Sequence, residues 1–255
     1  MIKQLIQSIT VLLALSLALT ACGDTSGATG ATQGQSISAG GSIDKPAPGS
    51  VDAVVGDCSD SYRSQMMAFV PGMVSIAADA AEKKHRFLAA CFDGAPLRTL
   101  AWGPQVNFGE AEPGINEPLM EKVNNARALG LRRPLERMIE TTPQRVKGSG
   151  QLELLELLSQ TDGLGRAYVF TDAIVNQVDG IDLNSASPED IHRIVRRWAP
   201  RMGDGLQNVA VVFVGVGRGS NRTAKVRKAE ALFRDIVESA GGRFTWAPDL
   251  PQLSS

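Results

Sequence analysis

Near-continuous apolar runs occupy residues 51–55, 87–92, 167–170 and 209–216, and segments with helical spacing separate them. A strand that is apolar on both sides needs cover on both sides, which a sheet with one wetted face does not give. Strands alternating with helices build a mainly parallel sheet flanked by helices instead. The expected fold is therefore α/β and doubly wound, over residues 51–255. Between the runs, Met66, Phe69, Val70, Met73, Val74 and Ala77 mark a helix over 62–84. Pro71-Gly72 predicts a kink in it, or two short helices. Asp93-Gly94 reads as a hairpin turn leading to a strand over 98–102, followed by a Pro/Gly-rich loop over 104–117. Residues 118–140 read as helix with a break near Gly130 and Pro134, and 151–158 as a short leucine-rich core helix. Ser187-Pro188-Glu189-Asp190 has the chemistry of a helix start. A last amphipathic helix over 226–237 is stopped by Gly241-Gly242, and 243–246 suits a final strand.

The first 50 residues have a different character. Lys3 precedes an apolar stretch over 9–19, shorter than the roughly 20 residues that span a bilayer. Residues 1–21 thus read as a secretory signal peptide. Leu19-Thr20-Ala21-Cys22-Gly23 resembles a bacterial lipobox, which implies that Cys22 is lipidated. The alternative is an ordinary signal peptide with Cys22 a bystander. Residues 22–50 are Gly, Ser, Thr and Ala with almost no large apolar side chain, and read as a flexible tether. The expected location is extracytoplasmic, on a membrane, in the cell envelope.

Composition narrows the chemistry. The 26 Lys+Arg are cancelled by 27 Asp+Glu, for a net charge of −1, so a strongly basic nucleic-acid binder is excluded. With 2 His in the chain, and no G-x-S-x-G elbow, histidine catalysis and the usual zinc sites have little to work with. His85 and His192 read as surface residues. Gly215-Val216-Gly217-Arg218-Gly219-Ser220 reads as a strand-end turn rather than a dinucleotide loop, since Ser220 stands where a third glycine belongs. Arg218, Arg222, Lys225, Arg227 and Lys228 read as a solvated basic face.

Ligands of open α/β sheets bind at the carboxyl ends of strands. Asp57-Cys58-Ser59-Asp60-Ser61 follows the first strand, and Thr171-Asp172 follows the run 167–170. Two carboxylates with several hydroxyls form an all-oxygen set, which suits a hard divalent cation: Mg²⁺, or Mn²⁺ or Ca²⁺.

Asp57-x-Ser59-x-Ser61 after an apolar strand resembles the first loop of the metal-ion-dependent adhesion site (MIDAS) of von Willebrand factor A (vWA) domains. Thr171-Asp172 resembles the later Thr-Asp element of that family, and residues 90–95 and 213–244 are similar to its second strand and its last helix and strand. The resemblance covers about residues 51–250. It implies metal ligation by Asp57, Ser59, Ser61 and Asp172, with a further hydroxyl from a middle loop. Ser149 in Gly148-Ser149-Gly150 is the candidate there, with Thr141 and Thr142 as alternatives. Two positions depart from the pattern: Ala173 stands where a glycine usually follows the aspartate, and Gly56 replaces a bulky residue. Cys58 and Cys91 fall near the ends of strands that would be neighbours in the resembling fold. They are expected to form a disulfide or to remain two small buried thiols. The implied function is binding of a partner protein whose acidic side chain completes the cation's shell, with no bond made or broken. The alternatives are a metal-dependent hydrolase using Asp57, with Asp60 or Asp172 in proton transfer, and an assembly lipoprotein with a degenerate site.

Overall fold

Six strands form one sheet in the order β3-β2-β1-β4-β7-β8. They are β1 (Val51–Asp57), β2 (Arg86–Phe92), β3 (Ala101–Asn107), β4 (Leu164–Phe170), β7 (Ala210–Val214) and β8 (Arg243–Ala247). All pairings are parallel except β2 with β3, an antiparallel edge. The computed structural model describes residues 50–147, 150–173, 175–216 and 224–251. The expected leader, Cys22, the tether up to residue 49, Ser149, Arg218 and Arg222 lie outside them.

The expected doubly wound arrangement is present. Along each central strand the side chains alternate between two apolar layers. Val51, Ala53, Val55, Ala167, Val169, Val211 and Phe213 face α5 (Gln151–Ser159), α6 (Pro188–Met202) and α7 (Ala224–Ser239). Val54, Tyr168, Phe170 and Val214 face α1 (Arg63–Glu82), α3 (Glu117–Gly130) and α4 (Arg132–Thr141). This two-sided burial is why the strands read as apolar runs. A small hairpin of β5 (Gln177–Val178) and β6 (Ile181–Asp182) lies apart from the sheet.

Three local expectations are corrected. Pro71 does not divide α1, which runs unbroken for 20 residues. Met66, Phe69, Val70, Met73 and Ile76 are buried along it. At about 2 kcal/mol each, they outweigh the roughly 3 kcal/mol that an interior proline costs. Secondly, residues 96–99 form a helical turn, α2 (Pro96–Thr99), and the strand begins only at Ala101. Asp93 causes this: it is no hairpin residue, because its Oδ1 accepts from Ala95 N at 3.1 Å and from the Thr99 hydroxyl. The strand runs on into the expected loop and tolerates Pro104 because it is a sheet edge.

Thirdly, His85 is buried, at 1% exposure, whereas His192 is exposed as expected. Lys84 adopts φ +56 and reverses the chain at the end of α1, which turns His85 inward. Its Nδ1 lies 2.9 Å from Asp52 Oδ2. A carboxylate facing that nitrogen requires the proton there. Arg166 donates through Nε to Asp52 Oδ1 at 2.7 Å and through Nη2 to Oδ2 at 2.5 Å. The same guanidinium reaches Asp79 at 2.5 Å, and Lys83 closes the network on Asp79 at 2.7 Å. Burial pushes the Asp52 carboxyl up, but the hydrogen bonds from His85 and Arg166 outweigh it and hold it below its ordinary value. Burial also pushes the Tyr168 hydroxyl up to about 12. The basic face is only partly solvated: Lys228 donates to the carbonyls of Asn184 and Ala186 at 3.0 and 2.8 Å.

Candidate functional site

Counting the sheet's strands in chain order gives 3-2-1-4-5-6, which reverses direction between β1 and β4. A reversal of this kind opens a crevice at the carboxyl ends of the two strands. The register sets Gly56 beside Phe170, so the next residues, Asp57 and Thr171, emerge together. Both are buried, at 1% and 0% exposure. The Thr171 hydroxyl donates to Asp57 Oδ2 at 3.2 Å, and Ser59 N donates to Asp57 Oδ1 at 3.0 Å.

The first loop and the second strand-end are therefore brought together as expected. Ser59 is buried and Ser61 exposed, with their hydroxyl oxygens 3.3 Å apart. No side chain caps the start of α1, so neither serine is serving as a helix cap. Asp172 is half-buried beside Thr171. Asp60 is exposed and lies 3.5 Å from Arg63. Arg63 in turn donates to the Cys58 carbonyl at 2.9 Å and to that of Ile139, which fixes the underside of the loop.

Cys58 and Cys91 are bridged, with Cα atoms 5.5 Å apart. Cys58 N also donates to the Phe92 carbonyl at 3.0 Å. The Asp-x-Ser-x-Ser loop is thus tied covalently and by backbone to the end of β2. Gly56 has a packing reason: a side chain there would collide with the end of Met66, and Met66 supplies the bulk instead. Ala173 has φ +53, a conformation that costs a non-glycine residue about 1 kcal/mol. That geometry explains why glycine suits the position.

Two site residues escaped the sequence reading. Gln151, at the start of α5, is 1% exposed. Its Nε2 donates to Thr171 Oγ1 at 3.3 Å, and Ala173 N donates to the same oxygen at 3.0 Å. With two donors arriving, the Thr171 hydroxyl has only its own proton to offer, and that proton goes to Asp57. A glutamine opening a leucine-rich core helix directly after Gly150 was the signal.

Asp93 is the other. It is 4% exposed, and its Oδ2 accepts from Arg145 N at 2.8 Å and Val146 N at 2.9 Å. Its carbonyl accepts from Gly150 N at 2.9 Å. Burial raises the Asp93 carboxyl, but the Thr99 hydroxyl and the backbone N–H groups of Val146, Ala95 and Arg145 prevail and lower it. Asp93 thereby holds both ends of the segment that contains residue 149. Gln144 Oε1, on that segment, accepts from Asp60 N at 3.1 Å. The alternatives to Ser149 are committed elsewhere: Thr141 and Thr142 donate to the carbonyls of Arg137 and Met138 at 2.8 and 2.7 Å.

Among the described residues no three His, Cys, Asp or Glu side chains converge as a metal cage. The oxygens that the structure leaves for a cation near the crevice are the Asp57 carboxylate and the hydroxyls of Ser59 and Ser61, with the Asp172 carboxylate next along the chain after Thr171, whose own lone pairs are taken by Gln151 and Ala173. An all-oxygen set of this kind fits Mg²⁺, Mn²⁺ or Ca²⁺ and not a softer metal.

No protein-family profile matches the chain, and no curated protein matches it. Among solved structures, it is similar to the pilus adhesin SpaC from Lactobacillus rhamnosus GG in its open conformation. The identity there is 12% over 82% of this chain, at a TM-score of 0.39. A second crystal structure of that adhesin matches at 11% identity over 80% of this chain, at a TM-score of 0.39. The chain spans 28% of the adhesin's length in both comparisons.

Proposed function

We propose that this chain is a cell-envelope lipoprotein whose vWA-like domain binds a partner protein through a divalent cation. Asp57, Ser59, Ser61 and Asp172 hold the ion, directly or through water, and Ser149 adds a hydroxyl from the segment anchored by Asp93. An acidic side chain of the partner fills the remaining position, and no bond is made or broken. The observation that carries this reading is the meeting of Asp57 and Thr171 across the β1/β4 crevice, at 3.2 Å. Thr171 and Ser59 N orient the Asp57 carboxylate, the kind of oxygen ligand that a hard cation takes. The disulfide supports an oxidising compartment outside the cytoplasm, in line with the leader and the lipobox-like Cys22.

The test is calorimetric titration of the chain from residue 23 with Mg²⁺ and Mn²⁺, beside Asp57→Ala and Asp172→Ala. Saturable binding that both variants lose, while their thermal melts stay cooperative, is the expected result. A folded wild-type protein that binds neither ion overturns the metal reading. Radiolabelled palmitate should enter the full-length chain in a bacterial host and be lost with Cys22→Ala. Equal labelling of that variant overturns the anchor.

A further inference from the structure

Between β3 and α4 runs an open trough of about 340 Å³. Trp102 and Gly103 form its strand wall, Arg133 and Arg137 its helix wall, and the buried Met138 its floor. The two elements approach closely because residue 103 is glycine: a side chain there would collide with Met138 Sδ. β3 carries one extra residue at this point, since Ala90 pairs with Trp102 but Leu88 with Gln105. A bulge of this kind re-aims the neighbouring side chains. Trp102 stands out at 52% exposure, on the outermost strand of the sheet.

The helix wall is positive throughout. Arg133 and Arg137 are exposed, and neither has an ion pair among the described residues. Glu136, which lies between them in sequence, is taken by Arg132 at 3.0 Å. No carboxylate lines the trough among the described residues. Thr141 and Thr142, at the end of α4, spend their hydroxyls on the carbonyls of Arg137 and Met138. The side chains left to meet a ligand are the indole and the two guanidiniums, which donate and do not accept. Like charges one turn apart disfavour a helix, and an anion set against both reverses the sign of that effect.

We propose that the trough docks an extended segment of a partner protein with the pattern acid-apolar-acid. Four residues advance about 6 Å along a helix, so the two arginines repeat at nearly the spacing of residues i and i+2 in an extended chain, about 6.6 Å. Side chains i and i+2 of the segment face the helix wall, where each carboxylate meets one guanidinium in a charge-assisted pair. The side chain between them points the other way, to Trp102. A trough walled by exposed side chains does not enclose most of a small ligand's surface, as small-molecule sites do. That favours a polypeptide laid across it over a free metabolite. Tryptophan and arginine are also the residue types that dominate the energetics of protein interfaces. The inference does not depend on the metal reading, since no cation takes part.

The test uses the chain from residue 23 in EDTA, which keeps its outcome separate from that of the cation titration. The probes are a Glu-Phe-Glu peptide and a Gln-Phe-Gln peptide, each flanked by glycines and blocked at both termini, and vesicles of phosphatidylglycerol. Peptide binding is followed by amide chemical-shift changes around Gly103 and Met138. Saturable binding of the glutamate peptide is expected, with the glutamine peptide at least about ten-fold weaker. Trp102→Ala, and Arg133→Ala combined with Arg137→Ala, should each lower the affinity at least about ten-fold. Their thermal melts should match the wild type, because all three side chains are exposed. Arg196→Ala, on the exposed face of α6, should change nothing. Equal binding of the two peptides, or an equal loss in Arg196→Ala, overturns the inference. So does a failure to bind the glutamate peptide. Co-sedimentation with the vesicles in that case assigns the surface to a membrane, and self-association abolished by Trp102→Ala assigns it to a second copy of the chain.

Discussion

Replacing Cys58 and Cys91 together by alanine removes a covalent tie between the first site loop and β2. The two residues are 33 apart in sequence. Closing a loop of that length removes about 12 cal/mol/K of chain entropy from the unfolded state, or about 4 kcal/mol at 25 °C. Both positions are buried, at 1% and 0% exposure, so alanine leaves small voids and strands no hydroxyl. For a domain of this size the melting midpoint should fall by about 12 °C. Urea unfolding of the wild type and the double variant under non-reducing conditions reads the difference. The wild type with a strong reductant provides a second route to the same number. The effect should extend beyond stability, because Cys58 stands between Asp57 and Ser59. Freed of the bridge, Ser59 N can leave Asp57 Oδ1, and Mg²⁺ affinity should fall more than in Leu154→Ala, which weakens the core without touching the loop. A stability loss under about 1 kcal/mol would refute the chain-entropy reasoning. Unchanged Mg²⁺ affinity would refute the claim that the bridge holds the loop.

Gln151→Leu removes a donor from Thr171, and cation affinity by calorimetry should fall at least about ten-fold, as is usual for residues that orient a ligand shell; unchanged affinity means that Thr171 needs no orienting. Asp93→Ala leaves several N–H groups without their acceptor and should cost about 3 kcal/mol in urea unfolding, with faster proteolytic cleavage in 142–150. The Asp52 and Asp93 carboxyls are both depressed in the folded protein, so their stabilisation is complete above the unfolded value near pH 4. It is lost as pH falls through their lower folded values; Asp93→Asn should flatten that decline, and a gain in stability on acidification below pH 4 contradicts the assignment. Ser187→Ala removes half of the capping box at α6 and should cost about 1 kcal/mol in thermal unfolding.

The strands were legible because each central one is buried on both faces, so burial wrote itself into composition. That alternation put Asp57 and Thr171 at carboxyl ends of strands, but their meeting at the switch point rests on the strand order, which sets β1 beside β4. The misread elements share a cause: their conformation is set by partners distant in sequence. Nothing local marks Asp93 as an acceptor for residues 145 and 146, and without that knowledge Asp93-Gly94 looks like a tight turn. His85, preceded by two lysines, looks solvent-facing. The missing clue was Asp52, a carboxylate within an apolar central strand, which had to find cations or donors. Gln151 was hidden among leucines for the same reason. Of the two expectations that Pro71 raised, only the division into two helices failed, since packing across the whole helix outweighs one lost backbone bond.

The direction of β1 has a mechanical consequence. The chain enters at Ser50, whose carbonyl already pairs with Arg86 N, and reaches Asp57 seven residues later. At roughly 3.3 Å per residue, the entry point and the crevice lie about 23 Å apart along a single strand. If the N-terminal segment is held at a surface and a ligand is gripped at Asp57, tension between them travels straight along that strand. The share borne by Asp172 crosses to β4 through parallel hydrogen bonds that are loaded together in shear, rather than opened one after another. The helices, α7 and β8 stand off this line of force, so a pull on a bound partner would strain the grip before it strained the fold.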